Sequence, residues 1–234
     1  MATTALDPTT APKARAVSPA ARWSPAARAA GAFTFIASGV LWVIADVIGF
    51  GHDGVEKLAW IAAHPTLAGI GETGDILAVP FLLGATLVWL LLSLQGSRKL
   101  AIIGATMLTF GLTAQAVLNG VETAAFLVAV RNKMDLATFN AALGDGTDVT
   151  VPTITFMAMF FIGAFVGIVI MMVAVWRSRT LPRPAAALII AFQLAGFLPV
   201  HFPTTVLAAA GLVWMAIALL RSGRATAGAA PELS

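Results

Sequence analysis

Long apolar runs, each separated from the next by a short polar segment, dominate the chain from residue 29 onward. A helix needs about 20 consecutive apolar residues to cross the hydrocarbon core of a bilayer. Six runs approach that length, and we predict a transmembrane helix for each. They are residues 29–50, 74–94, 100–130, 151–176, 185–200 and 202–220. Pro199 and Pro203 separate the last two, because proline breaks the helical hydrogen-bond ladder.

The predicted fold class is therefore all-α, a polytopic transmembrane bundle of six spans that covers residues 29–221. Residues 1–28 combine four prolines with four basic residues and contain no apolar stretch long enough for a signal peptide. We predict a disordered basic tail there. Residues 222–234 are predicted to form a second disordered tail.

Composition supports a membrane class and excludes several others. Hydrophobic residues make up 59% of the chain and charged residues 11%, whereas soluble domains carry roughly 25% charged residues. The absence of cysteine excludes disulfides, thiolate metal sites and cysteine nucleophiles. The basic residues are spread over short loops rather than gathered in one patch, which argues against a nucleic-acid partner. The lipid bilayer is the predicted partner.

The distribution of lysine and arginine predicts the orientation, since cytoplasmic loops are enriched in both. With the N-terminus in the cytoplasm, 11 of the 14 basic residues lie on the cytoplasmic side. Only Lys57, Arg131 and Lys133 lie on the other. We therefore predict a multi-pass protein of the cell membrane with both termini cytoplasmic. Nine of the 11 acidic residues fall towards the outer side, and topology does not explain this asymmetry.

Two outer loops carry helical patterns of their own. Residues 52–63 predict a short helix at the membrane interface, with an apolar stripe formed by Val55, Leu58, Ala59 and Ala62. Apolar residues between 134 and 143 also recur at helical spacing before Gly144.

The third predicted span places rare polar residues on one helical face. Gln115, Asn119 and Glu122 follow each other at spacings of four and three. Interhelical hydrogen bonds, worth roughly 1 kcal/mol each, explain Gln115 and Asn119 as well as a ligand site does. Glu122 either reaches the headgroups or takes part in that site.

Two acids lie at the start of the second predicted span. Glu72 and Asp75 are three residues apart. Gly71 directly precedes Glu72, and Gly74 directly precedes Asp75. Acids in the first turn of a helix favour the helix dipole by about 0.3–1 kcal/mol, so capping explains one acid readily. Two acids among glycines are equally consistent with a site at which a ligand approaches the backbone.

Two further residues complete the predicted outer pocket. Asp46 lies about one turn inside the first span, where an ionisable group needs a partner; Lys57, Arg131 or a histidine would serve. His201, in the turn between the last two spans, is expected at the rim. Histidine near acids also allows a divalent metal, but no zinc pattern is present, and we predict no metal and no cofactor.

Familiar catalytic signatures are absent. The sequence contains no Walker loop, Rossmann glycine fingerprint or GxSxG elbow. Gly163 and Gly167 form a GxxxG pattern, which predicts close helix packing and a surface for a helix–helix oligomer.

Two resemblances bear on function. The EKLAWIAAHP segment leading into GDILAVPFLLGATLVWLLL, with the Ala- and Pro-rich basic tail, resembles multi-pass membrane proteins of actinobacteria. The chain is also similar, more weakly, to the small integral-membrane terpene cyclases, which implies a helical bundle that protonates a prenyl chain with two carboxylic acids. No acid occurs here between Asp148 and Glu232, so the late acid of those enzymes has no counterpart.

Two hypotheses follow. In the first, a membrane enzyme acts on an isoprenoid or lipid substrate, and a carboxyl group stays protonated because burial disfavours its charge. Its candidate catalytic acids are Asp46, Glu72, Asp75 and Glu122. Its candidate substrate-binding residues are Trp42, Gln115, Asn119, Phe126, Phe156 and His201. In the second, the same acids bind a cation or proton in a transporter or an accessory membrane subunit. The inner halves of all six predicted spans lack Asp, Glu and His, which favours a one-sided pocket over a through-pathway and therefore the enzyme hypothesis over the alternative.

Overall fold

The computed structural model describes residues 19–49, 54–135, 137–139, 151–198 and 202–222. All regular structure in these residues is helical, which confirms the all-α class. The α-helices are α1 (Pro25–Gly49), α2 (Gly54–Ala63), α3 (Pro65–Arg131), α4 (Val151–Met159), α5 (Gly167–Ser178), α6 (Arg183–Ala195) and α7 (Thr205–Arg221). A π-helical segment, Phe160–Val166, joins α4 to α5, and a 3₁₀ turn, Pro19–Arg22, precedes α1.

Helix α3 reverses direction at one residue. Ser97 has φ −154° and ψ 51°, which are not helical values, so the 67-residue helix consists of two halves. We call these α3N (65–96) and α3C (98–131). At 1.5 Å per residue each half measures about 50 Å, more than the ~30 Å hydrocarbon core of a bilayer.

Six helical segments pack antiparallel in the described part of the chain: α1, α3N, α3C, the α4–α5 unit, α6 and α7. Along α1 and α3N, Gly84 lies against Thr34, while Gly74 lies against Leu41. At the Ser97 end of the bundle, a methyl group on Gly96 would lie 2.7 Å from Ser178 Cα, so the α3 reversal contacts the end of α5.

The best-packed core lies in the Ser97 half of the bundle. Trp89 is 1% exposed, contacts the Phe35 ring at a centroid distance of 5.6 Å, and donates its indole N–H to Met215 Sδ at 3.1 Å. The outer surface is apolar as well: the exposed fraction is 60% for Phe33 and 63% for Leu127. A bundle with apolar residues both inside and outside is typical of a membrane protein.

The predicted GxxxG surface is used inside the chain. Gly163 and Gly167 are buried against α3C, where methyl groups on them would lie 2.5 Å from Gly111 N and 2.6 Å from Leu108 N respectively. Close packing was therefore predicted correctly. The surface is covered by α3C, however, so an oligomer contact through Gly163 and Gly167 does not fit this structure.

Several predicted boundaries differ from the structure. Helix α1 begins at Pro25, and Ala20 is 1% exposed within the core, so the last part of the predicted basic tail is structured. Residues 1–18 and 223–234 lie outside the described residues. The second span was predicted to start at residue 74, but α3 begins at Pro65.

The interfacial helix predicted after the first span is present as α2. Its buried residues are Leu58 and Ile61, whereas Ala59 and Ala62, predicted on the apolar stripe, are exposed. The stripe was misplaced because α2 packs against α3 along a face that includes Ile61.

Part of the second loop is also described. Residues 137–139 form a helical turn, at which the Thr138 backbone N–H donates to Asp135 Oδ1 at 2.7 Å. This hydrogen bond lowers the pKa of Asp135. Phe139 packs with Leu58 and Ala129. The rest of this predicted helix, from residue 140 onward, lies outside the described residues.

We predict that Gly104→Ala lowers the melting temperature of the purified protein, because overpacking usually costs about 1–3 kcal/mol of folding free energy. The new methyl group would lie 2.7 Å from Met171 N, a backbone atom that cannot move aside alone. Gly120→Ala, in the same half-helix, is the matched control because nothing lies within 4 Å of its methyl position. Equal melting temperatures for the two variants would contradict the close packing of α3C on α5.

Candidate functional site

Glu72 and Asp75 lie well inside α3N. Because α3 begins at Pro65 and has no acid in its first turn, the capping explanation for these two acids is wrong. Pro65 starts the helix favourably, since the first helical position needs no backbone N–H donor. Both carboxylates therefore occupy interior positions, and their presence requires another explanation.

The glycines beside these acids allow helix α1 to pack closely against α3N. A methyl group on Gly71 would lie 3.1 Å from Ile48 Cγ2, and one on Gly74 would lie 3.1 Å from the Leu41 carbonyl oxygen. The backbone approach predicted from the glycines is therefore that of a neighbouring helix. It brings Asp46, near the end of α1, to the same cavity as Glu72 and Asp75.

A cavity of about 470 Å³ lies at the end of the bundle away from Ser97, between α1, α2 and α3N. We call it the carboxylate cavity. Three acids and one lysine line it, with two indole rings and one threonine. These residues are Asp46, Glu72, Asp75, Lys57, Trp42, Trp60 and Thr205.

Each of the three carboxylates accepts a hydrogen bond from a neutral side chain. The Thr205 hydroxyl donates to Asp46 Oδ2 at 2.6 Å, and the Thr205 backbone N–H approaches the same oxygen at 3.4 Å. The Thr123 hydroxyl donates to Glu72 Oε2 at 2.5 Å. The Asn119 amide donates to Asp75 Oδ2 at 2.5 Å.

The predicted cationic partner of Asp46 is absent from its described contacts. Lys57 instead forms an ion pair with Glu122, with Nζ 2.5 Å from Oε1. The exposed fractions of the two side chains are 28% and 53%. The neutral-acid hypothesis for Glu122 requires a buried carboxyl group without a cationic partner. Glu122 is instead partly exposed and paired with Lys57.

A second cavity, of about 490 Å³, lies between α3C and the α4–π segment. We call it the phenylalanine cavity. Its lining residues include Gln115, Asn119, Glu122, Phe126, Phe139, Phe160 and Phe161. The Phe126 and Phe139 rings stack at a centroid distance of 5.3 Å, and Lys57 Nζ lies 4.5 Å from the Phe126 centroid.

The structure thus brings most of the predicted site residues into two adjacent cavities. Trp42 lines the carboxylate cavity and meets the Phe192 ring edge-on at 5.1 Å. Phe156 is not among the residues that line either cavity. His201 lies outside the described residues, so its predicted place at the rim stays a prediction.

Four important residues were not predicted in their present roles: Lys57 as the partner of Glu122, and Thr123, Thr205 and Trp60. The spacing of Thr123, four residues after Asn119 on the same helical face, is a usable signal. No such signal identifies Thr205, because hydroxyl residues are common at helix starts, where they cap the helix.

Comparison of the chain with protein-family models, with curated proteins and with solved structures finds no match. The function is therefore inferred from the geometry of the two cavities.

We predict that Thr123→Val destabilises the protein by about 1–2 kcal/mol, because it leaves a partly buried carboxylate oxygen without its donor. Thr113→Val is the matched control on the same half-helix: Thr113 is exposed and bonds only to the Thr109 carbonyl one turn away. Its effect should stay within about 0.5 kcal/mol. Denaturation of both variants in one detergent measures the difference, and equal stabilities would show that the Thr123–Glu72 bond contributes nothing.

Proposed function

We propose that the protein is a six-span membrane protein of the cell membrane, with both termini cytoplasmic, that binds an organic cation in the carboxylate cavity from the outer side. The six segments of the bundle are the six spans. The three acids are the cation ligands. The proposal corresponds to the cation-binding hypothesis drawn from the sequence, in either a transporter or an accessory subunit.

Membrane insertion is supported by three helices long and apolar enough to cross a bilayer, Pro25–Gly49, Pro65–Arg131 and Ile154–Ser178. The second of these contributes two spans because it reverses at Ser97. Helices α6 and α7 are apolar but shorter, with 13 and 17 residues. The basic residues near Ser97, Ser178 and Arg221 share one end of the bundle, which the positive-inside rule assigns to the cytoplasm.

We predict that reporter domains fused after Arg98 and after Asp145 lie on opposite sides of the membrane. The first follows the Ser97 reversal and should be cytoplasmic, whereas the second should be outside. A fusion after Arg221 is the control and should report the same side as the fusion after Arg98. The same side for the Arg98 and Asp145 fusions would overturn the six-span arrangement.

The excess of acids over bases in the carboxylate cavity, three carboxyl groups to one lysine, is the observation that carries the cation proposal. The hydrogen-bond partners of Asp46, Glu72 and Asp75 are neutral, and the one ion pair among the described residues ties Lys57 to Glu122. Ionisable groups within membrane spans are costly and are normally paired. A bound cation would supply the missing charge.

An organic cation fits this cavity better than a metal ion. No group of three or more His, Asp or Glu side chains among the described residues is arranged to hold a metal. The acids are instead distributed around about 470 Å³, a volume within the range of small-molecule sites. Trp42 and Trp60 line the same cavity, and indole faces attract ammonium groups through cation–π interactions.

The acid-catalysis hypothesis uses the same residues and has less support. It requires a carboxyl group aimed at an apolar substrate, whereas the carboxylate cavity is lined by three acids, a lysine and a threonine. Nothing in the geometry favours an isoprenoid substrate over an ammonium compound.

We predict that choline binds the wild-type protein in lipid nanodiscs, and that Glu72→Gln combined with Asp75→Asn weakens this binding at least ~10-fold, equivalent to about 1.4 kcal/mol. The amides keep the shape of both side chains and remove their charge. Calorimetric titration measures the affinity. Glu56→Gln is the control, because Glu56 is exposed on α2 and lies outside the residues that line the cavity.

The neutral analogue 3,3-dimethyl-1-butanol tests whether charge or shape is recognised. It should bind the wild type much more weakly than choline does. Its affinity should be the same for the wild type and for the double variant. Equal affinities for choline in the wild type and the double variant would overturn the cation proposal, as would equal affinities of the wild type for choline and its neutral analogue.

A further inference from the structure

Two pairs of side chains meet across the wall between the two cavities. Asp75 and Lys57 line the carboxylate cavity, and Asn119 and Glu122 line the phenylalanine cavity. The Asp75–Asn119 hydrogen bond and the Lys57–Glu122 ion pair cross this wall. The polar end of the phenylalanine cavity is therefore in direct contact with the acids of the carboxylate cavity.

Lys57 already shows how an ammonium group is held at this wall. Its Nζ atom lies 2.5 Å from Glu122 Oε1 and 4.5 Å from the centre of the Phe126 ring. A carboxylate and an aromatic face are the two partners that an ammonium group prefers. Because both Lys57 and Glu122 are partly exposed, a competing ammonium can displace the lysine at small cost.

Gln115 supplies an independent sign of a ligand in the phenylalanine cavity. Its exposed fraction is only 9%, it lines this cavity, and its side-chain amide has no hydrogen-bond partner among the described residues. The amide therefore faces the cavity, where its donor and acceptor are available to a ligand. Gln115 lies seven residues before Glu122, or about 10 Å along the helix.

The cavity also has an opening suited to an amphiphile. Met157 and Phe161 line it and have exposed fractions of 49% and 51%, on the flank of the bundle where α4 and the π-helical segment face outward. In a bilayer this flank faces lipid chains, so an apolar chain can enter from the side. Irregular π-helical turns occur frequently at functional sites.

We propose that the organic cation is an amphiphilic amine. Its ammonium group lies among the acids at the wall, its hydrocarbon chain occupies the phenylalanine cavity, and an oxygen about 10 Å from the ammonium bonds to the Gln115 amide. This inference rests on the proposed cation-binding function and adds the class of the ligand.

The chain is tested with alkyltrimethylammonium ions of two, four, six and eight carbons, titrated against the protein in nanodiscs. Wild-type affinity should rise at least ~10-fold from ethyl to octyl, because each methylene buried away from water strengthens binding. Ala125→Phe fills the cavity and should abolish the rise. Leu127→Phe is the matched control, since Leu127 is 63% exposed on the same half-helix and does not line the cavity. Met157→Trp fills the cavity from the opposite wall and replaces Ala125→Phe if that variant does not fold.

The oxygen is tested with (8-hydroxyoctyl)trimethylammonium against the octyl compound. The hydroxyl should improve wild-type affinity several-fold, and Gln115→Leu should remove the improvement. Absence of the improvement in the wild type would overturn the role of Gln115.

Two results distinguish this inference from the function on which it rests. If all chain lengths bind equally, or if the filling variants keep the chain-length dependence, the phenylalanine cavity is not the chain site, while binding that depends on Glu72 and Asp75 leaves the cation function standing. If no compound of the series binds, the ethyl compound included, the cation function fails and the inference fails with it.

Discussion

The reversal of α3 at Ser97 determines which polar residues of this protein meet. Asp75 and Asn119 each lie 22 residues from Ser97, one on either side, so the two positions reach the same height, about 33 Å from the turn. Glu72 and Thr123 are 25 and 26 residues away and meet one turn further on. That height equals the thickness of the hydrocarbon core. In the proposed six-span arrangement, the turn places both hydrogen bonds at the far edge of the membrane.

Helix α1 adds the third acid through a different constraint. Its close approach to α3N depends on Gly71 and Gly74, since side chains at these positions would meet Ile48 and the Leu41 carbonyl. Helix α1 also packs on α7, where a methyl group on Gly39 would lie 3.2 Å from Ala209 Cα, and there Asp46 reaches Thr205 at the start of α7. Each acid is thus oriented by a neutral donor from another segment. This arrangement holds the three carboxyl groups in fixed directions, and in the proposed function such preorganised groups would bind a cation without first having to reorder.

The sequence predicts those features that depend on the number and order of apolar residues. The helical class, the α2 helix and the close packing at Gly163 follow from run length, periodicity and small-residue spacing. The start of α3 at Pro65 was missed because residues 65–73 mix Gly, Thr and Glu with apolar residues, although the tertiary contacts with α1 and α2 favour a continuous helix. The partner of Gly163 was not predictable, since a GxxxG pattern indicates a close contact but carries no information about which helix makes it.

The candidate site shows the same division. The acids were identifiable because ionisable residues near a membrane span are rare and expensive. Of their partners, Asn119 was identified because it shares a polar helical face with Gln115 and Glu122, and Thr123 continues that face. Thr205 was not identified, because its role depends on the register between segments. Lys57 was expected to serve Asp46, but α2 lies beside α3C, where Glu122 and the Phe126 ring are nearer to its ammonium group.

The position of Lys57 also explains how an apolar and an acidic cavity can be adjacent. A carboxylate at the mouth of an apolar cavity is unfavourable unless a cation accompanies it, and Lys57 provides one from a short helix at the edge of the bundle. Because the lysine is tethered to α2 by a flexible side chain, it can leave Glu122 without unfolding any helix. In the proposed binding mode, the ammonium group of the ligand would take the place of the lysine ammonium beside Glu122, so this carboxylate would keep one cation opposite it.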